Sequence, residues 1–450
     1  MNANLRFNWA RLTANYWFYP ALFSIIGAVL AAAMIAIDSS GVAGELGEAE
    51  WFLPARPQGA LTMLSVMAGS MIAVAATVFS ITIAAVAYAS GNYGPRLLTN
   101  FMEDRGNQLS LATLIGSFVY AVVVLRAVRG EDETAAFVGA VVDGSGSGGE
   151  AALPGFVPQV SLAVAYGLTA LCVAVLVFFL HHIPSSIRIN VVLEGIGRRL
   201  LRLIGDIYPE EGDFSDPPEP RGGQPAHAWS AGYVQLIDFE TLAKAARKTG
   251  CVFSLRVRTG DFVHRGLALM DISGPEPEAL DDLLHDAFTI GAVRTPEQDP
   301  QFLIDELVEI ALRALSPGIN DPFTAINALH WLSAATAEIA RRNLRKQVLR
   351  KRDDGADTDP PVIPCADTFA HYVSRGFGGI RGAAATSPIA AQVMLEALEN
   401  AAAPITDMTR RGILREHGHL LGEQARLVLN GPDRALVEDR LRAFERFFAP

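Results

Sequence analysis

Charge is scarce in this 450-residue chain: Asp, Glu, Lys and Arg make up 19% of it, against roughly 25% in soluble globular domains. The shortfall is concentrated. Residues 18–37, 60–90, 109–125 and 158–180 carry no charged side chain at all, which excludes a purely soluble enzyme and a disordered chain. Cysteine is scarcer still. Cys172, Cys251 and Cys365 are an odd set without C-x-x-C spacing, the pattern of reduced structural thiols and not of a disulfide framework or a zinc site. An excess of basic charge is also missing. With 37 Lys and Arg against 48 Asp and Glu the net charge is −11, which argues against nucleic acid as a partner. There is no P-loop lysine motif, no G-x-S-x-G and no H-E-x-x-H.

What is present is length without charge. Crossing a hydrocarbon core of about 30 Å takes about 20 apolar residues, and four stretches supply them, at about 18–37, 60–90, 108–128 and 158–183. The first exceeds the usual apolar run of a signal peptide, about 7–15 residues, and three more spans follow it. The sequence therefore predicts a mainly α membrane protein: a four-transmembrane-helix bundle followed by a cytoplasmic α+β domain. Orientation follows the positive-inside rule. Arg6, Arg11, Arg96, Arg105, Arg188, Arg198, Arg199 and Arg202 flank the spans on one side, and Arg56, Arg126 and Arg129 on the other. Both termini are expected in the cytoplasm, with a multi-pass fold in the cytoplasmic membrane. The two outer loops are acidic, and the second carries the flexible run GSGSGG at 144–149.

The second span is the most informative. Its 31 uncharged residues would reach roughly 46 Å as a helix, beyond the bilayer core. Ser65, Gly69, Ala73 and Thr77 recur every four residues and set small side chains along one helix face. Such a face lets another helix approach closely. It fits a packing seam inside the bundle, a seam between subunits, or the lining of a pore. No span holds an ionisable residue in its core, which argues against a proton relay or ion-coupled pump. A pore lined by Ser, Thr, Gly and backbone needs none.

The chain divides into a transmembrane domain at 1–205, a Pro- and Gly-rich linker at 206–228, a small β-rich module at 229–273 and a helical region at 274–450, itself interrupted by a polar linker at 351–366. Within the module, strands are expected at 232–238, in the alternating CVFSLRVR at 251–258 and at LALMDI. A helix closed by Gly250 lies between the first two. In the helical region SPGIN breaks a 3.6-residue period, and Asp321 followed by Pro322 forms an N-cap and first turn. The break is either a tight helix–helix turn or a helix start where an anion or a partner carboxylate could sit.

Three segments, GPRLLTNFMEDRGNQ at 94–108, GAVRTPEQDPQF at 291–302 and ALSPGINDPFTA at 314–325, resemble the recurrent motifs of one bacterial family, the predicted membrane proteins grouped as domain of unknown function 2254. The likeness runs from the first span to the C-terminal helices. It implies a four-span membrane half and a cytoplasmic half, and supplies no catalytic residues. Arg294, Asp299, Asn320 and Asp321 stand as candidates for a shared structural or functional centre on these matches.

Other polar residues carry less. His181 and His182 are adjacent on a helix and so point apart, which fits interfacial polar residues. His417 and His419 are two apart with no third ligand nearby, so neither a metal nor any other cofactor is expected. GFGGIRG at 376–382 has Arg381 where a nucleotide loop has its third glycine. Arg96, Glu103, Asp104 and Arg105 between the second and third spans form a charged mouth, or else a solvated connector. No catalytic constellation emerges. The reading that follows is a homo-oligomeric ion channel or passive conduit with a cytoplasmic regulatory domain, an ion or small molecule being its ligand. The alternative is a membrane-anchored sensor or scaffold.

Overall fold

The computed structural model describes residues 13, 15–40, 56–94, 104–129, 156–210, 219–344 and 361–449. They form two compact units. Residues up to Ile187 make the first, apart from Asn92–Gly94, and Arg188 onward makes the second.

The first unit holds α1 (Phe18–Ser39), α2 (Pro57–Tyr93), α3 (Arg105–Ala127) and α4 (Gln159–Ser186), each long and apolar enough to cross a membrane. They coincide with the four expected spans. Helices α1 and α3 pack backbone to backbone: a Cβ on Gly27 would lie 2.3 Å from Gly116 O, and one on Gly116 2.8 Å from Phe23 O. Only glycine at both positions permits this approach. Helix α2 buries Ala60, Leu64, Ala68, Met71, Ala75 and Val78, spaced by three and four so that they share a face. They complete two apolar clusters, around Tyr120 and Val124 and around Leu114 and Phe179. Helix α4 begins after Pro158, which cannot cap it. The cap comes from α1 instead. Asp38 accepts the backbone N–H groups of Val160 at 3.0 Å and Ser161 at 2.9 Å, and the Ser161 hydroxyl at 2.7 Å.

The second unit opens with α5 (Ile189–Ile207), so the boundary expected at 205–206 falls earlier, at the end of α4. The reason is packing. Leu193, Ile196, Leu200 and Ile204 form a buried stripe, and the indole of Trp331 fills the space left by Gly197. The β-rich module is also wider than 229–273. One sheet runs β1 (Gln224–His227), β5 (Ala268–Ser273), β3 (Val252–Leu255) and β7 (Val362–Ile363); the other runs β4 (Phe262–Val263), β2 (Gly232–Ile237) and β6 (Phe288–Gly291). Strands β1 and β7 come from the two expected linkers, at 206–228 and 351–366, and β6 from the region expected to be helical. All pairings are antiparallel except β3 with β7. The two sheets share a core of Val234, Phe253, Val263, Met270, Ile272 and Phe288, closed by α6 (Phe239–Thr249) and α7 (Leu280–Ala287). Gly250 ends α6 in the left-handed conformation, φ 71°, as the sequence predicts.

The helical part comprises α8 (Pro300–Ala314), α9 (Pro322–Ala340), α10 (Phe369–Val373), a π-helical turn (Ser374–Gly378), α11 (Gly379–Ala384), α12 (Pro388–Ala402), α13 (Met408–Val428) and α14 (Gly431–Phe447). Helix α9 is central, with Ala325, Ala328, Leu329, Leu332 and Ala335 all buried. The glycines of GFGGIRG lie inside this π–α run and not in a phosphate loop.

Candidate functional site

The second unit contains a buried ion network where the loops of the sheets meet α8 and the π turn. Arg294 follows β6. Its Nε and Nη2 donate to Asp299 Oδ2 at 2.9 and 2.5 Å, and its Nη1 to Asp305 Oδ2 at 2.7 Å. Asp299 is also the N-cap of α8, its Oδ1 accepting Phe302 N–H at 3.1 Å. Asp305 stands one turn and a half along the same helix and receives a second guanidinium, Arg375 of the π turn, through Nε at 2.6 Å and Nη2 at 2.7 Å. Beside these, Arg258 pairs with Asp367, whose other oxygen accepts Gln301 Nε2 at 2.6 Å. Tyr208 and Tyr372 join hydroxyl to hydroxyl at 2.8 Å.

The backbone makes room for this network. Gly260 has φ 90°, and a Cβ there would stand 2.1 Å from Asp299 Oδ2. The side chain of Asp299 is 1% exposed and that of Asp367 4%. Burial pushes the Asp299 carboxyl above its ordinary value, and Arg294 opposes the shift. Burial also raises both tyrosine hydroxyls and the Cys365 thiol. His371 is lowered, first by burial and then by Arg258 and Arg375. Each guanidinium meets a carboxylate, so the arrangement works as a clamp between sheet loops and helices. It presents no nucleophile with an adjacent base.

Of the four candidates in this unit, the structure joins Arg294 to Asp299 and leaves Asn320 and Asp321 apart. They lie past the far end of α8, about 22 Å away along the axis of its 15 residues. There Asp321 caps α9. It accepts Thr324 N–H at 3.2 Å and the Thr324 hydroxyl at 2.6 Å. The helix start is thus occupied by its own carboxylate, and SPGIN is a tight turn with Asn320 at φ 50°.

In the first unit, Asp104 is the N-cap of α3 and accepts Asn107 N–H at 3.2 Å. It also binds His182 Nε2 at 2.9 Å. Gly106 is what allows this: a Cβ there would stand 2.5 Å from His182 Nε2. Arg105 is exposed at the first position of α3. Arg96 and Glu103 lie outside the described residues, as does GSGSGG. Ser65, Gly69, Ala73 and Thr77 are all exposed on α2, opposite its buried face. The packing-seam reading inside the bundle is therefore overturned. The outward face is longer than the four residues: Gly69, Ala73, Ala76, Ser80, Ala84, Ala87 and Gly91 are all exposed at spacings of three and four. The Thr77 and Ser80 hydroxyls bond back to Ala73 O and Ala76 O.

Sequence reasoning missed Arg258, Asp305, Asp367 and Arg375, and did not pair Asp38 with α4 or His182 with Asp104. The one available signal was RGFGG, glycines at a helical position where close approach is needed: a Cβ on Gly379 would stand 3.1 Å from Val308.

No solved structure matches the chain. The chain is similar to uncharacterized proteins of Mycobacterium bovis and Mycobacterium tuberculosis, at 30% identity over 398 residues, 85% of this chain and 71% of theirs. The family model described as "Predicted membrane protein (DUF2254)" matches residues 13–400. That span takes in all four apolar helices, the ion network and the SPGIN turn, and the chain belongs to this family of predicted membrane proteins.

Proposed function

We propose that the protein is a homo-oligomeric passive conduit for ions in the cytoplasmic membrane, with both termini and the second unit in the cytoplasm. The observation that carries this reading is the outward face of α2, a line of Gly, Ala and Ser that its own bundle leaves uncovered. Small residues let helices of neighbouring copies come close. Four spans are too few to enclose a wide path alone, so the path runs between copies, lined by small and hydroxyl side chains and by backbone. None of these is charged, which suits passive conduction and not proton coupling. Arg105, exposed at the start of α3, contributes a cationic mouth, and the second unit, rigidified by its ion network, regulates access.

Disulfide cross-linking tests the assembly. Cysteines placed at Ala73 and Ser80 should link copies in membranes, whereas one at Val122 of α3 should not. Reversal of charge in Arg105→Glu should move ion preference toward cations. An unchanged preference would remove Arg105 from the path.

The alternative, a membrane-anchored sensor or scaffold, draws on the same second unit, where no catalytic arrangement is found among the described residues. Flux decides between the two.

A further inference from the structure

His417 is buried on α13 and packs against the π turn. A Cβ on Gly378 would stand 3.2 Å from its Cε1, and its Nε2 lies 3.4 Å from the Ser374 hydroxyl. Its Nδ1 lies 3.4 Å from Nη1 of Arg381 on α11. The Nε of the same arginine donates to Gln424 Oε1 at 3.2 Å, about two turns further along α13. A guanidinium only donates, so Nδ1 is the acceptor and the ring proton sits on Nε2, toward Ser374. The seam between the π turn, α11 and α13 is thus built around a neutral imidazole.

A protonated ring does not fit that seam. Both ring nitrogens then carry hydrogen, so Nδ1 can no longer accept from Arg381. Two cations face each other at 3.4 Å in a partly buried place, where salt screens them little. Among the described residues the charged groups acting on the ring are Arg381 and Glu416, and Glu416 is exposed beside it on α13. The ionisable groups on the other elements packed against α13 are engaged elsewhere. Arg375 of the π turn holds Asp305, Glu399 of α12 holds Arg440 of α14, and Glu445 of α14 faces His419. His371 of α10 lies in the field of Arg258 and Arg375. Burial, then Arg381, keep the proton affinity of His417 below that of an ordinary histidine, so the ring is neutral at neutral pH.

The segment held by this seam belongs to the ion network. The π turn is pressed between three helices: a Cβ on Gly376 would stand 3.3 Å from Leu332 of α9, and one on Gly379 3.1 Å from Val308 of α8, with His417 on the third side. The turn carries Arg375, which grips both oxygens of Asp305.

We propose that His417 is an acid-operated latch. Neutral, it accepts Arg381 and holds the π turn and α11 against α13; protonated, it repels Arg381 and releases that segment, loosening the Arg375–Asp305 end of the ion network. The latch lies wholly in the second unit and does not depend on conduction.

The test is hydrogen–deuterium exchange read by mass spectrometry on the full chain in detergent, at about pH 7.5 and about pH 5.5, either side of the ordinary histidine value. Labelling times are scaled for the chemical exchange rate at each pH. Peptides over 374–384 should open several-fold faster at the lower pH, while those over α9 stay protected. His417→Gln, a neutral side chain that still accepts from Arg381, should remove the difference, and Arg381→Gln should remove it too, because the repelling cation is gone. Equal protection of 374–384 at both pH values overturns the proposal. A difference that survives His417→Gln assigns it to another group, His371 first, and overturns it as well. One that survives Arg381→Gln overturns the repulsion, and acceleration of α9 to the same extent means global unfolding and no latch. If His417→Gln does not fold, Arg381→Gln, which keeps the native histidine, gives the decision alone.

Discussion

The Asp104 carboxylate takes His182 Nε2 at 2.9 Å across a gap that exists because residue 106 has no side chain. One acid thus caps α3 and ties it to the end of α4. At the other end of α4, Asp38 of α1 caps the first turn. The same helix is fastened at both ends by carboxylates from its neighbours, in a bundle with no buried charged side chain among the described residues.

Gly106→Ala should break the first fastening, since the new methyl would stand 2.5 Å from His182 Nε2. We expect a loss of about 0.5–1.5 kcal/mol, the net worth of one hydrogen bond between half-buried side chains. Thermal unfolding in detergent reads it. Gly167→Ala on α4, with open space around it, should be neutral or slightly stabilising. Equal destabilisation by both would mean that the His182 contact contributes nothing.

Gly27→Ala drives a methyl against the backbone of Gly116, at 2.3 Å from its carbonyl oxygen. A backbone cannot yield as a flexible side chain can, so the helices must separate. The expected cost is at least the roughly 1–3 kcal/mol of ordinary overpacking. Gly69→Ala, on the open face of α2, should leave the unfolding temperature of the isolated subunit unchanged.

The ion network predicts non-additive losses. Arg294→Ala leaves Asp299 buried without its partner, which costs about 3–5 kcal/mol in comparable pairs. Arg294 and Arg375 share Asp305, so a double-mutant cycle between them should give a coupling of about 0.5–3 kcal/mol. Strict additivity would show two independent pairs.

His417 is buried against Ser374 and Arg381, and burial, then Arg381, lowers its proton affinity below that of a free histidine. In the unfolded chain it titrates near the ordinary value of about 6.5. Above that pH both states are neutral and its contribution to stability is complete. As pH falls below it, the unfolded state binds the proton first and stability declines down to the lower folded value. His371 is shifted the same way. Unfolding temperature should therefore drop on acidification from neutral pH, and His417→Gln should flatten that slope. An unaltered slope would dismiss His417 as a source.

Much of the fold was legible in the sequence. Charge-free runs mark the four spans because a bilayer leaves few alternatives, and Gly250 and Asp321 mark helix ends through chemistry local to a few residues. Strands β6 and β7 were not legible: FTIG and VI are too short to show a period, and their pairing with Gly232–Ile237 and Val252–Leu255 is a tertiary fact. The candidate site was half visible. Arg294 and Asp299 are five residues apart within one motif, whereas Asp367 and Arg375 lie more than 65 residues from their partners Arg258, Gln301 and Asp305. On α2 the four-residue repeat was visible, but the side of the helix it occupies depends on which face the other three helices bury.

Ion flux from liposomes holding the purified protein, loaded in parallel with anion and cation reporters and run against empty vesicles, tests the conduit most directly. The account predicts selective flux from the native protein and its loss in Gly69→Leu, where bulk enters the outward face of α2. Absence of flux from folded protein oriented in the vesicle would contradict it, and so would native flux that Gly69→Leu leaves unchanged.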